Sequence, residues 1–243
     1  MPTFQDHFAD HAASSFARQM ALGDVIGERA WSLDVQKGLL RFGDDQEYRV
    51  QLLGSHAFEP GTWLWIWANA QSDIPPQHTQ AALRIQQLGE AQGIGAFTEA
   101  SVQLGDVTDH MIAITCSGLE GGRCFYRAPY DGGALFMLLE DAPAQVLAPV
   151  PLARVNTVLM EVVSQFEVDH RRLVTSFFQQ QGLDATATES GGIRATRAGE
   201  GHIEINFDAL GRMSKVTGTL TPAAAQEAPV QAAPKKPRWQ FWK

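Results

Sequence analysis

The first half of the chain is organised around one stretch, Gly61-Thr62-Trp63-Leu64-Trp65-Ile66-Trp67-Ala68-Asn69. A Glu59-Pro60-Gly61 turn precedes it, and large apolar side chains fill it. Because successive side chains of a strand point to opposite faces, the three tryptophans and Asn69 are expected to share one face. We therefore predict a strand over 62–69, and we expect Trp65 to be largely buried.

The residues around this stretch predict an antiparallel sheet with helices. Alternation of apolar and polar residues over 31–35 and 40–42 flanks a Gln36-Lys37-Gly38 turn, which is typical of a β-hairpin. Further strands are predicted at 48–53, 123–130 and 134–140, the last two joined by Asp131-Gly132-Gly133. Apolar residues at helical spacing predict helices at 4–23, from 81 to Gly89 or Gly93, and at 111–118.

The second half of the chain has a different pattern. Residues 142–151 contain three prolines among small and apolar residues, which predicts an extended connector and a domain boundary. An apolar stripe then predicts one long helix over 152–182, and glycine-bearing turns separate strands predicted at 184–189, 193–197, 202–207 and 212–220. The predicted order is an α+β domain at 1–141, a connector at 142–151, a helix packed on a β-meander at 152–220, and a disordered tail at 221–243. The predicted fold class is therefore α+β, with an antiparallel sheet covered by helices followed by a long helix on a meander.

Composition and charge exclude several classes of protein. Of 243 residues, 44% are hydrophobic and 19% are charged, which is the composition of a folded chain. The longest apolar runs fall well short of the roughly 20 residues that a membrane span needs, and the N-terminus lacks the pattern of a secretory signal. We therefore expect a cytoplasmic protein. A net charge of -8 argues against nucleic acid as the main partner.

Three segments of the first half resemble a bacterial family known as domain of unknown function 6882: Trp31-Ser32-Leu33-Asp34, Leu53-Gly54-Ser55 and the Trp-rich stretch at 61–69. The resemblance covers residues 4–140. Ile66 departs from the family, in which Gly or Ala is often found at this position. The resemblance implies a boundary for the N-terminal domain, and it implies no activity.

The tryptophans are open to two interpretations. Rigid indoles with N–H donors can form a ligand platform, but a sheet covered by a helix also needs bulky core residues. We favour the core and keep a cleft between the strand and the second helix as the alternative. The candidate ligand-binding residues of that cleft are Trp63, Trp65, Trp67, Asn69 and Glu59. An enzyme would bring the polar groups of Glu59, Asn69, His78 and Arg84 together there, whereas Asn69 also suits a cap of the next turn.

Paired histidines and carboxylates near the N-terminus fall short of a metal site. His7 and His11 are four residues apart, as are Asp6 and Asp10, so each pair lies on one face of a helix. Two such ligands are too few for a structural zinc site, and we expect no metal and no cofactor.

Two cysteines and one further histidine are predicted to be structural. Gly121-Gly122 between Cys116 and Cys124 would allow a disulfide, but a reducing cytosol favours free, buried thiols. His170 lies on the apolar stripe and is expected to be packed and hydrogen-bonded.

The C-terminal tail combines a tether with a basic-aromatic end. Residues 223–237 are rich in Ala, Pro and Gln, which is typical of a disordered segment. The candidate docking residues are Lys235, Lys236, Arg238, Trp239, Phe241 and Trp242. They suit a groove on a protein partner first and an anionic membrane surface second, while a tail without function stays open.

No serine-nucleophile, zinc-protease or phosphate-loop motif is present in the sequence. The leading hypothesis is therefore a noncatalytic binding or scaffold protein with a docking tail. The alternative is an enzyme or small-molecule sensor with a cleft beside residues 63–67.

Overall fold

The computed structural model describes residues 1–221, so that the predicted tail from residue 222 onward lies outside the described part. The helices are α1 (Phe4–Ile26), α2 (Gln80–Gln92), α3 (Gly95–Thr98), α4 (Asp109–Leu119), α5 (Ala144–Leu147), α6 (Leu152–Gln165) and α7 (His170–Gln180). The strands are β1 (Trp31–Asp34), β2 (Leu39–Phe42), β3 (Gln46–Ala57), β4 (Thr62–Trp65), β5 (Ser101–Gln103), β6 (Cys124–Tyr130), β7 (Gly133–Leu139), β8 (Asp184–Ala187), β9 (Ile193–Arg197), β10 (Gly201–Phe207) and β11 (Met213–Leu220). The predicted α+β class is confirmed.

Strands β1 to β7 form a seven-stranded antiparallel sheet around the long strand β3. One edge of β3 pairs with β2 near its start and with β4 near its end, while the other edge pairs with β7. Strand β5 extends the sheet beyond β4, and β6 extends it beyond β7. The predicted hairpins β1–β2 and β6–β7 are confirmed, whereas the sequence pattern had not indicated β5 or α3.

Gly54 allows the Trp-rich strand to approach β3. The register between β3 and β7 shifts between Leu52 and Gly54, which marks a β-bulge. A Cβ atom on Gly54 would lie 2.6 Å from the Leu64 carbonyl oxygen and 2.7 Å from the Trp63 ring. Glycine is therefore required here for β4 to pair with β3 while Trp63 packs over the strand.

Strand β4 is shorter than predicted. It ends at Trp65, and a 3-10 helix over Ile66–Ala68 follows. The prediction of one strand over 62–69 is therefore wrong at its C-terminal end, because the chain turns at Ile66 although the spacing of the tryptophans continues. Asn69 follows the 3-10 turn, and its backbone N–H bonds to the Ile66 carbonyl oxygen.

The predicted long helix over 152–182 is in fact two helices. Phe166 leaves the helical conformation with φ -131° and ψ 139°, and its ring packs on Phe8 of α1 at 5.2 Å between centroids. Asp169 then caps α7 by accepting a hydrogen bond from the Arg172 backbone N–H at 2.9 Å. The apolar stripe continues through this break, so that periodicity alone could not reveal it.

Helix α1 lies against both halves of the described chain. A reciprocal capping box between Thr3 and Asp6 starts it. The Ser15 hydroxyl lies 2.9 Å from the Ser117 hydroxyl of α4, and Phe8 meets Phe166 at the start of the α6–α7 connection. The predicted connector at 142–151 contains the short helix α5, and the domain boundary there stays a prediction.

The second sheet is the predicted meander, with strand order β11-β10-β9-β8 and antiparallel pairing throughout. Ala195, Ile203 and Ile205 are buried beneath helices α6 and α7. On the opposite face Arg194 pairs with Glu204 at 2.8 Å. One face of this sheet is therefore core and the other is polar surface.

Candidate functional site

Two of the three tryptophans are core residues. Trp63 and Trp65 are both 0% exposed, and their rings meet edge to face at 5.5 Å. The Trp65 indole N–H donates to the Ala96 carbonyl oxygen at 3.0 Å. The predicted burial of Trp65 is confirmed, and neither of these indoles offers a face to a ligand.

Trp67 and Asn69 lie at an open pocket of about 290 Å³ beside the start of α2. The other residues that line it are Ile66, Ala70, Asp73, Ile74, Pro76 and Thr79. Trp67 stacks on Trp65 at 6.4 Å, and its buried Nε1 meets no hydrogen-bond acceptor among residues 1–221. The structure thus brings together two of the five predicted ligand-binding residues, at the place where the cleft was expected.

The remaining polar candidates have separate surroundings. Arg84 is bonded to Glu120, the C-cap residue of α4, with Nε 3.0 Å from Oε1. The Nε2 atom of His78 lies 3.2 Å from the Gln36 carbonyl oxygen. Glu59 is exposed in the β3–β4 turn. Within the described chain, no hydrogen bond or ion pair joins any two of Glu59, Asn69, His78 and Arg84.

The carboxylates near the N-terminus hold an arginine of α7. The Arg172 guanidinium bonds to Asp6 at 2.6 Å and to Asp10 through two nitrogens at 2.7 and 2.6 Å. His7 Nε2 lies 2.6 Å from the Gln92 side-chain oxygen instead of facing His11. Over residues 1–221, no three His, Cys, Asp or Glu side chains are arranged to hold a metal ion.

The structural roles predicted for the cysteines and for His170 are confirmed. Cys116 and Cys124 are free and buried, and burial raises the pKa of Cys124 to about 12 because it disfavours the thiolate. His170 Nδ1 accepts a hydrogen bond from the Met213 backbone N–H at 3.0 Å. None of these three side chains is set up as a nucleophile or base.

A carboxylate shared by two histidines lies at the N-terminus of α4, and no pattern in the sequence indicated it. Asp109 Oδ2 lies 2.7 Å from His56 Nδ1, and Asp109 Oδ1 lies 2.8 Å from His110 Nδ1. Burial alone would raise the pKa of Asp109, but hydrogen bonds and charge from His110 and His56 outweigh it and lower the pKa to about 2. An ionised carboxylate only accepts hydrogen bonds, so that both Nδ1 atoms donate.

This arrangement fixes the chemistry available at His56. With hydrogen on Nδ1, the neutral ring keeps Nε2 as an acceptor, and the protonated ring makes Nε2 a donor. The His56 side chain is 20% exposed, so that a bound group can reach it.

His56 belongs to a small surface of mixed character that we call the Phe58 patch, formed by His56, Phe58 and Arg127. The Phe58 ring is 45% exposed. The His56 ring meets its edge at 5.1 Å, and the Arg127 guanidinium carbon lies 5.5 Å from its centroid. Tyr130, 50% exposed, lies at the same end of the sheet, where the Phe58 N–H donates to the Gly132 carbonyl oxygen.

Tertiary structure alone brings these groups together. His56 ends β3, Asp109 starts α4 and Arg127 lies on β6, and 53 residues separate the first two. The sequence carried one usable signal, Thr108 before Asp109, which indicates a helix N-cap and no more. Neighbouring residues in the sequence could not have predicted the patch.

The fold and its surface define an α+β protein with a tryptophan-filled core and an exposed aromatic-basic patch. The chain belongs to the family of unknown function DUF6882, whose model matches residues 5–142. The resemblance noted in the sequence is thereby confirmed, and the Phe58 patch and the Trp67 pocket both lie within the matched region. No curated protein and no solved structure matches the chain. None of the helices in the described part has the length and apolar character needed to cross a membrane.

Proposed function

We propose that this protein is a noncatalytic binding or scaffold protein that docks a protein partner on the Phe58 patch. The observation that carries the proposal is the exposed Phe58 ring, which contacts the imidazole ring of His56 and the guanidinium of Arg127. Aromatic residues and arginine are the side chains most enriched in the energetically important parts of interfaces. Tyr130 adds a second exposed aromatic residue at the same end of the sheet.

The surroundings of the Trp67 pocket support a noncatalytic role over an enzymatic one. An active site needs titratable groups within hydrogen-bond reach of one another. Arg84 and His78 are instead engaged with Glu120 and with the Gln36 carbonyl oxygen.

The C-terminal segment is proposed as a second attachment point. The proposal rests on the sequence alone, in which residues 235–243 contain four cationic residues and three aromatic residues. A protein partner ranks before an anionic membrane, because one short segment gives weak membrane affinity by itself. We further propose that the protein is cytoplasmic.

Partner capture with matched variants tests this function. Immobilised full-length protein is compared with Phe58→Ala, with a deletion of residues 235–243, and with Leu210→Ala, which truncates another exposed apolar residue at 76% exposure. We expect Phe58→Ala to lose captured protein that wild type and Leu210→Ala both retain. Equal capture by all three full-length proteins would rule out the Phe58 patch as the docking surface.

The deletion is tested in parallel for the second attachment. We expect it to weaken capture of the same partner without changing liposome cosedimentation. Reduced cosedimentation with unchanged capture would instead assign the segment to a membrane surface.

A small-molecule sensor is a second candidate, and the Trp67 pocket favours it. A buried indole N–H without an acceptor beside an open volume of about 290 Å³ gives a ligand carbonyl or hydroxyl a place to bind. Thermal-shift screening of wild type against Trp67→Phe tests this, because the substitution removes the donor and keeps an aromatic ring. Ligands that stabilise both proteins equally would place binding elsewhere.

A further inference from the structure

Arg127 is a charged side chain whose guanidinium has no hydrogen-bond acceptor in the described structure. It is partly buried on β6, and over residues 1–221 its side chain makes no hydrogen bond and no ion pair. Its Nε is fully covered and has no acceptor. Burying a charged donor without an acceptor costs free energy, so that such a group calls for an explanation.

The nearby carboxylate is already engaged. Asp109 receives hydrogen bonds from His56 and His110, and its backbone neighbour His110 N–H bonds to the same carboxylate at 2.7 Å. It is ionised and its oxygens are satisfied by imidazole and amide donors. The guanidinium of Arg127 is held by the Phe58 ring instead, through a cation–π contact.

We propose that the Phe58 patch binds the carboxylate side chain of an Asp or Glu on the protein partner, with the Arg127 guanidinium as the principal donor and, when the His56 ring is protonated, His56 Nε2 as a second donor. This inference rests on the proposed function, since it concerns the same surface. A guanidinium presents a planar fork of donors that matches a carboxylate. Because Nε is covered, Arg127 would meet the carboxylate with its two Nη nitrogens, which are not among the covered atoms. The exposed part of Phe58 would then pack against the aliphatic portion of the bound residue.

A carboxylate fits this patch better than a phosphate group does. Phosphate groups carry close to two negative charges, and proteins recognise them with clusters of arginine. The patch offers one guanidinium together with an exposed apolar ring. One unit charge beside an apolar surface is complementary to a single acidic side chain.

The Arg127 Nε–Hε resonance provides a direct test in the full-length protein. The probes are a short blocked peptide with one central Glu, the same peptide with Gln, and inorganic phosphate, all titrated at equal low ionic strength. We expect the Glu peptide to shift this resonance to saturation and the Gln peptide to bind about tenfold more weakly, since a charge-assisted hydrogen bond contributes about that factor.

Two arginine variants supply the matched comparison, followed through the His56 ring resonances. Arg127→Gln should weaken binding of the Glu peptide by about tenfold or more. Arg154→Gln, which removes an exposed arginine elsewhere, should leave that binding unchanged. Thermal unfolding of Arg127→Gln should occur at or above the wild-type temperature, because the variant loses no ion pair within the described chain.

The remaining outcomes overturn the inference. A saturable shift with phosphate and none with the Glu peptide would reassign the patch to a phosphate group, and no shift with either probe would leave Arg127 without a ligand role. If Phe58→Ala loses partner capture but Arg127→Gln retains it, the inferred carboxylate contact is wrong and the proposed docking function stands.

Discussion

The two sheets of the molecule bury their residues in different ways. The seven-stranded sheet contributes fully buried aromatic residues from several strands, among them Trp63, Trp65 and Phe136. In the four-stranded sheet burial is concentrated on the middle strands β9 and β10, and every residue of β8 is exposed. The first sheet therefore contributes large aromatic side chains to the core from several strands, whereas the second sheet contributes to the same core mainly through its two middle strands.

This difference matches the extent of the family. The family model ends at residue 142, where the first sheet is complete. The Phe58 patch and the Trp67 pocket are both built on the aromatic-filled sheet. A heavily packed sheet holds surface side chains in place, which a binding surface requires.

The largest effect is expected in the aromatic core. Trp65→Ala should lower the free energy of unfolding by about 3 to 5 kcal/mol, because it leaves a cavity among buried rings and removes the bond to Ala96. Denaturant unfolding measures this, with Phe58→Ala as the exposed control. A Trp65→Ala protein as stable as that control would show that the indole is not a core residue.

A single buried position of the second sheet is expected to matter less. Ile205→Ala on β10 should cost about 2 to 4 kcal/mol, since Ile205 is fully buried under α6 and α7. Thr217→Ala, on the exposed face of the neighbouring strand β11, serves as the control.

The Ile205→Ala variant also tests how the two sheets are coupled. Four of the six tryptophans, Trp31, Trp63, Trp65 and Trp67, lie in the first sheet region. In a background that lacks residues 235–243, which removes Trp239 and Trp242, tryptophan fluorescence reports on this region alone. Because α1 packs on both α4 and α7, we expect the unfolding transitions followed by fluorescence and by circular dichroism to shift together. Separate transitions would instead support the predicted boundary at 142–151 as a limit of independent unfolding.

Local patterns predicted much of both sheets. Alternation placed the β1–β2 and β6–β7 hairpins and the meander, and it put Trp65 in the core. The break at Phe166 escaped prediction because its apolar side chain continues the helical stripe while packing on Phe8. Likewise the 3-10 turn after Trp65 interrupts a strand whose alternation continues in the sequence.

The candidate site was far less predictable. Trp67 and Asn69 were named, and they line one pocket. The bond between His56 and Asp109 depends on the packing of β3 against α4, which no spacing along the chain encodes. The tail residues from 235 onward lie outside the described part, so that their proposed docking role still rests on sequence.

Lowering the pH should destabilise the region of the seven-stranded sheet through protonation of Asp109. Its pKa is about 2 in the folded protein against an ordinary value of 3.8. The ionised carboxylate therefore stabilises the fold by about 2 kcal/mol above about pH 4, and this contribution is lost as the pH falls from about 4 to about 2. We expect the stability difference between wild type and Asp109→Asn to shrink over that interval. A difference that stays constant down to pH 2 would contradict the lowered pKa.

The smallest effect is expected where the two regions meet, at Arg172. Its guanidinium on α7 holds Asp6 and Asp10 of α1, and Ser176 donates to Asp10 at 2.7 Å. All three charged side chains are partly exposed, so that water and salt screen them and the net contribution is modest. Arg172→Met keeps the aliphatic packing, and we expect it to lower stability by about 1 to 2 kcal/mol because it removes the charged donor that two carboxylates share. The loss should diminish in 1 M salt, which screens the repulsion between the two carboxylates.

Arg194→Met removes an arginine that pairs with Glu204 within the second sheet, and it is the matched control because that pair does not join the regions. If Arg172→Met separates the fluorescence and dichroism transitions while Arg194→Met does not, the α1–α7 ion pairs are what couple the aromatic sheet to the meander. If both variants leave the transitions coincident, the coupling lies in apolar contacts such as Phe8 with Phe166.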